Sequence, residues 1–106
     1  MLIKSRKEIF DVDLCNNFFK HSLGLMFRFP KNDGLLFEFN KEKFISLHML
    51  FVFLNIDIVY LDKNKKIVKI LKDVKPFTPF IRPVKCKYIL ELKSCKNLKL
   101  NNKLKF

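Results

Sequence analysis

A chain of 106 residues is long enough to bury one hydrophobic core and too short for two independent ones, so a single domain over residues 1–106 is expected. Hydrophobic residues make up 49% and charged residues 30%, a balance that excludes a disordered chain and a fully membrane-embedded one. The formal charge of +12, from 22 Lys and Arg against 10 Asp and Glu, permits attraction to phosphate polymers or anionic surfaces, although the lysines are spread along the whole chain.

In chain order, "MLIKSRKEIF" lacks the continuous apolar run and small-residue cleavage site of a secretory signal, which predicts retention in the cytoplasm. "IFDVDLCNNFFKHSLGLMF" predicts a short strand giving way to one short helix. Asp13 is its N-cap, Leu14, Cys15, Phe18, Phe19 and Leu23 form its apolar stripe, and Gly24 ends it. Pro30 to Gly34 is dense in turn formers, and Leu35 to Phe39 predicts a strand.

Two further strands are predicted around Ile45 to Phe51 and Asn55 to Leu61, followed by a turn at "DKNKK" and a hairpin partner in "IVKILKDV" that departs from clean alternation. Pro76, Pro79 and Pro83 remove amide donors, so "KPFTPFIRPVK" predicts an extended loop rather than a central strand. "CKYILELK" predicts a strand with Cys86, Tyr88, Leu90 and Leu92 on one side and Lys87, Ile89, Glu91 and Lys93 on the other. The tail "NLKLNNKLKF" alternates around an Asn-Asn turn. Together these elements predict a mostly β fold with one short N-terminal helix, β or α+β in class. Its sheet is expected to be a small, compact, partly closed and barrel-like antiparallel one.

The segment Phe44 to Leu61 is just at the lower limit of length for crossing a bilayer as a helix, but it contains Asn55 and Asp57. An Asp at mid-membrane costs about 2.5–3.5 kcal/mol on insertion scales, and the Ile, Val, Phe and Tyr here favour strands, so no membrane span is expected. Cys15, Cys86 and Cys95 form no C-x-x-C pair and have no zinc-ligand spacing around His21 or His48, which predicts free thiols. His48, Met49 and Met26 are read as packing residues, and neither a metal nor a cofactor is expected. No G-x-S-x-G, Gly-rich phosphate loop or H-E-x-x-H motif occurs.

Four blocks, "GLMFR" (Gly24 to Arg28), "DGLLFEF" (Asp33 to Phe39), "HMLFVFLNIDIVYLD" (His48 to Asp62) and "KYILEL" (Lys87 to Leu92), together resemble domain-of-unknown-function family 192, also called uncharacterised protein family 0127. The resemblance implies a compact, mostly β domain with minor helix and no established activity. The chain departs from the usual pattern of that family in four places. His48 stands where an aromatic residue is common, Leu50 to Val52 replace a polar run, and Asn55 replaces a proline. Lys93, Ser94 and Cys95 follow the last block, where a glycine is frequent.

Asp57 poses the chemical question of the sequence, because it is a carboxylate within the most apolar stretch. Strand alternation places it with Asn55, Val59 and Leu61, opposite Leu54, Ile56, Ile58 and Tyr60. If its face is buried, its charge must be paired or heavily hydrogen-bonded, and Arg28 is the expected partner. An Arg28–Asp57 pair has two readings: a structural ion pair fixing register, or a site where Arg28 binds an anionic ligand and Asp57 holds the guanidinium. The ligand-binding candidates are therefore Arg28, His48 and Asp57, with no catalytic residue assigned. The functional expectation is a non-catalytic module that binds a ligand or partner. The alternatives are a small enzyme using the His48, Asp57 and Arg28 region, and non-specific nucleic-acid binding through the basic surface.

Overall fold

Runs of Ile, Val, Leu and aromatic residues separated by short polar turns build six strands: β1 (Leu2–Lys4), β2 (Ile9–Cys15), β3 (Gly34–Leu47), β4 (Ile56–Leu61), β5 (Ile67–Val74) and β6 (Ile81–Leu92). A computed structural model describes residues 1–15, 33–47, 55–75 and 81–106. The strands form one sheet in the order β1-β2-β3-β6-β4-β5. Two expectations are corrected here. The sheet is open rather than a partly closed barrel, with β1 and β5 at its edges. It is also mixed rather than antiparallel, because β2 runs parallel to β3 with Val12 opposite Gly34 and Cys15 opposite Phe37. A parallel pair needs a long crossover, and β2 and β3 are separated by enough chain for one.

Among the described residues there is no helix, and Asp13 to Cys15, expected to open one, continue β2 instead. Ile9, Asp11 and Asp13 alternate with Phe10 and Val12, and this period of two decides the local structure once Val12 and Phe10 have a core to enter. The rest of the expected helix lies outside the described residues.

The strands expected at Leu35 to Phe39 and from Ile45 onward are one 14-residue strand, β3, whose pairing with β6 is irregular between Glu38 and Lys43. That irregularity absorbs the polar "NKEK" that reads as an interruption in sequence. β6 begins at Ile81, so Pro83 lies within a strand rather than in a loop. It sits where the β3–β6 register shifts between Ile45 and Leu47, and the described β4–β6 pairing runs from Tyr88 to Leu92. Among the described residues Pro83 thus costs no regular ladder bond.

The β4–β5 hairpin forms as expected. Its turn is held by Asp62 Oδ1, which accepts the amides of Asn64 at 2.8 Å and Lys66 at 3.0 Å, with Lys65 at a φ of 65°.

Both faces of the sheet are buried. One core joins Phe10, Val12, Leu36, Val59, Leu61, Tyr88, Leu90 and Leu92 to Ile3 and to Cys95, Leu98 and Leu104 from the segment after β6. The other joins Leu35, Phe37, Ile56, Ile58, Tyr60, Ile81, Cys86 and Ile89. Cys86 therefore belongs to the opposite core from Tyr88, Leu90 and Leu92, against the expected alternation. Gly34 is required by a close approach, since a Cβ on it would lie 1.9 Å from the carbonyl oxygen of Glu91 on β6.

Candidate functional site

Asp57 lies on β4 opposite a bulge. Ile56 pairs with Val74 and Ile58 with Leu71, so the single residue Asp57 faces both Lys72 and Asp73. Asp73 adopts a φ of 54°, and its amide donates to Asp57 Oδ1 at 2.7 Å. The other carboxylate oxygen, Oδ2, accepts the amide of Cys95 at 2.8 Å. Asn55 Nδ2 donates to Asp73 Oδ1 at 2.6 Å and braces the same bulge. The half-buried Asp57 carboxylate thereby joins the end of β5 and the start of the C-terminal segment to β4, satisfying amides that no ladder supplies.

A second polar group lies on the other face. Glu91 of β6 stands opposite Leu35 of β3 and Ile58 of β4, both buried in the second core, and is itself only 8% exposed. Burial pushes its carboxyl up to about 7, so it exchanges its proton near neutral pH. Tyr60, fully buried in the same core, has a hydroxyl without a hydrogen-bond partner among the described residues. Its phenol is pushed well above the ordinary value by burial, then by the charges of Cys86 and Glu91.

The thiols of Cys86 and Cys95 are free, buried and unreactive in character. Cys86 is pushed up to about 12 by burial and by the charge of Glu42, and Cys95 to about 11 by burial and by Asp57. Both stay protonated at neutral pH and are poor nucleophiles or metal ligands. Among the described residues no three His, Cys, Asp or Glu side chains group as metal ligands. No described helix is long and apolar enough to cross a membrane.

Of the residues singled out from sequence, Asp57 is placed on the predicted face with Val59 and Leu61, while Arg28 and His48 lie outside the described residues. Glu91 shares its sequence-predicted side with Lys87, Ile89 and Lys93 and is not among the sequence candidates. The signal was present, because "ILEL" surrounds an acid with aliphatics much as "NIDIVY" does. It becomes visible only when both faces of β6 are known to be covered.

The architecture defines a class: an open, mixed, six-stranded β module with a core on each face and an acidic residue set into each. The family model for DUF192, described as "Uncharacterized ACR", matches residues 1–102. The UPF0127 protein of Pyrococcus horikoshii is 34% identical over 83 residues, covering 76% of this chain and 70% of its own length. That of Pyrococcus furiosus is 40% identical over 88 residues, covering 80% and 74%.

A crystal structure of a protein of unknown function from Novosphingobium aromaticivorans superposes with a TM-score of 0.86 at 18% identity, covering 99% of this chain and 82% of that one. A second, from Sinorhizobium meliloti and provisionally labelled a transcription regulator, gives 0.82 at 20% identity, covering 98% and 89%. At such identities the structural likeness establishes the fold alone. The chain belongs to the DUF192/UPF0127 family, whose activity is uncharacterised.

Proposed function

We propose that this domain is a non-catalytic binding module. The observation that carries the reading is the commitment of Asp57: both carboxylate oxygens accept backbone amides, from Asp73 and Cys95, which suits a structural acceptor better than a general base. The protonated state of Cys86 and Cys95 supports the same reading, because neither thiol is activated for nucleophilic attack. In this reading Arg28 and His48 are the ligand-facing candidates, with Arg28 offering its fork of donors to an anionic group.

The test has two arms. Isothermal titration with small carboxylates and inorganic phosphate is expected to give saturable heat that Arg28→Gln removes. Ester, phosphoester and glycosidic reporter substrates are expected to give no turnover. Turnover abolished by His48→Ala or Asp57→Asn would replace the binding module with an enzyme.

A further inference from the structure

The last residues of the chain bring four lysines into line. Residues 103–105 run between the β4–β5 turn on one side and β1 on the other. The amide of Leu104 donates to the Lys65 carbonyl at 2.9 Å, and Lys105 and Lys4 exchange both backbone bonds at 2.9 Å. The two resulting antiparallel bridges pair Lys66 with Lys103 and Lys4 with Lys105.

Directly opposed residues of an antiparallel bridge point to the same side, with Cβ atoms about 5 Å apart. Lys103 and Lys105, two apart on an extended segment, share a face at a spacing of roughly 7 Å. Leu104 between them is 1% exposed and faces the core, whereas all four lysines are exposed. The order across the surface is Lys66, Lys103, Lys105, Lys4, a row from one edge of the sheet to the other.

Like charges directly opposite one another destabilise a strand pair, and this segment repeats that arrangement twice. Among the described residues none of the four ammonium groups has an ion-pair partner. The described ion pairs lie elsewhere, at Met1–Asp11, Lys75–Asp73 and Lys87–Glu38. Asp62, in the same turn as Lys66, accepts amides of that turn, and Glu8, in the turn after Lys4, accepts the amide of Asn97 on Oε1 at 2.9 Å while its Oε2 is buried without a hydrogen-bond partner among the described residues.

We propose that Lys66, Lys103, Lys105 and Lys4 form a track for the sugar-phosphate backbone of a single-stranded nucleic acid. A linear row of cations matches a linear row of phosphates. An anionic bilayer fits less well, because the exposed apolar residues beside Lys4 that would enter it, Leu2 and Ile9, flank the Asp11 carboxylate, which the bilayer would repel. The inference rests on the binding-module reading and assigns its partner. It implies contact without base recognition, since lysines reach phosphates and carry no sequence information.

The experiment is fluorescence polarisation of labelled single-stranded RNA and DNA over a salt series, with vesicles containing phosphatidylserine as a separate arm. Four phosphate contacts predict a slope of about −2.8 in log K against log salt, since each contact on a single strand contributes about −0.7. The double substitution Lys103→Gln, Lys105→Gln is expected to bring the slope near −1.4. Lys69→Gln, Lys72→Gln, which removes the same charge from exposed positions of β5, is expected to leave it unchanged; circular dichroism verifies the folding of both variants.

Equal losses in the two variants would overturn the track in favour of undirected net charge. Binding to the vesicles without binding to oligonucleotides would overturn it in favour of lipid. Absence of oligonucleotide binding by the unsubstituted protein also refutes the track. Only turnover of the reporter substrates refutes the binding-module reading.

Discussion

Replacing Glu91 by Gln is predicted to flatten the pH dependence of stability. In the unfolded chain the carboxyl titrates near 4.5; in the folded protein burial raises it to about 7. Between these values the folded state keeps a proton that the unfolded state has released. The contribution of Glu91 is therefore most favourable below pH 4.5, declines as pH rises and levels off above pH 7. At about 1.4 kcal/mol for each pH unit between the two values, ionised Glu91 costs the fold roughly 3 kcal/mol above neutrality.

That is a large share of the 5–15 kcal/mol typical of a domain. Gln is close in shape and uncharged at every pH, and in the difference between the two proteins the other titrating groups cancel. Urea unfolding followed by circular dichroism from pH 4.5 to 8 is the assay. With a urea slope of about 1–3 kcal/mol/M, the midpoint of the native protein should fall relative to Glu91→Gln by roughly 1–3 M across that range. Parallel profiles would refute the reasoning, because they would mean that Glu91 keeps its charge in the folded protein at no cost.

Gly34→Ala should lower stability by about 1–3 kcal/mol, or by roughly 4–8 °C in Tm for each kcal/mol, because its Cβ meets backbone of β6 rather than a side chain that can turn away. An unchanged melting temperature would show that the β3–β6 contact is looser than 1.9 Å implies. Asp57→Ala removes the acceptor of two amides and should cost about 2–3 kcal/mol in chemical denaturation, with faster hydrogen exchange at Asp73 and Cys95. Exchange at those two amides that stays at the native rate would refute the clamp. Tyr60→Phe deletes a buried hydroxyl without a partner among the described residues and should be neutral or stabilise by up to about 1 kcal/mol; a loss above 1 kcal/mol would reveal a bond to that hydroxyl.

The sequence by itself determined what depends on neighbours along the chain. The period of two in "NIDIVYL" put Asp57 on the face of Val59 and Leu61, and Asp62 with the residues after it wrote the β4–β5 turn. Family membership was likewise legible in four short blocks, because it is a property of residue order. Pairing between distant segments decided the rest. A strand with alternating apolar residues does not state whether its second face meets water or another layer, so nothing in β6 alone marks Glu91 as buried; that follows from a central strand flanked by β3 and β4 whose second face also carries a core. The parallel β2–β3 pairing turned the expected start of a helix into strand, since Asp13 to Cys15 pair with β3 instead of offering their carbonyls to amides four residues further along. The bulge at Asp73, the amide of Cys95 and the row of lysines at residues 103–105 exist only because segments far apart in sequence meet, and no local propensity encodes which backbone groups such a meeting leaves to be satisfied.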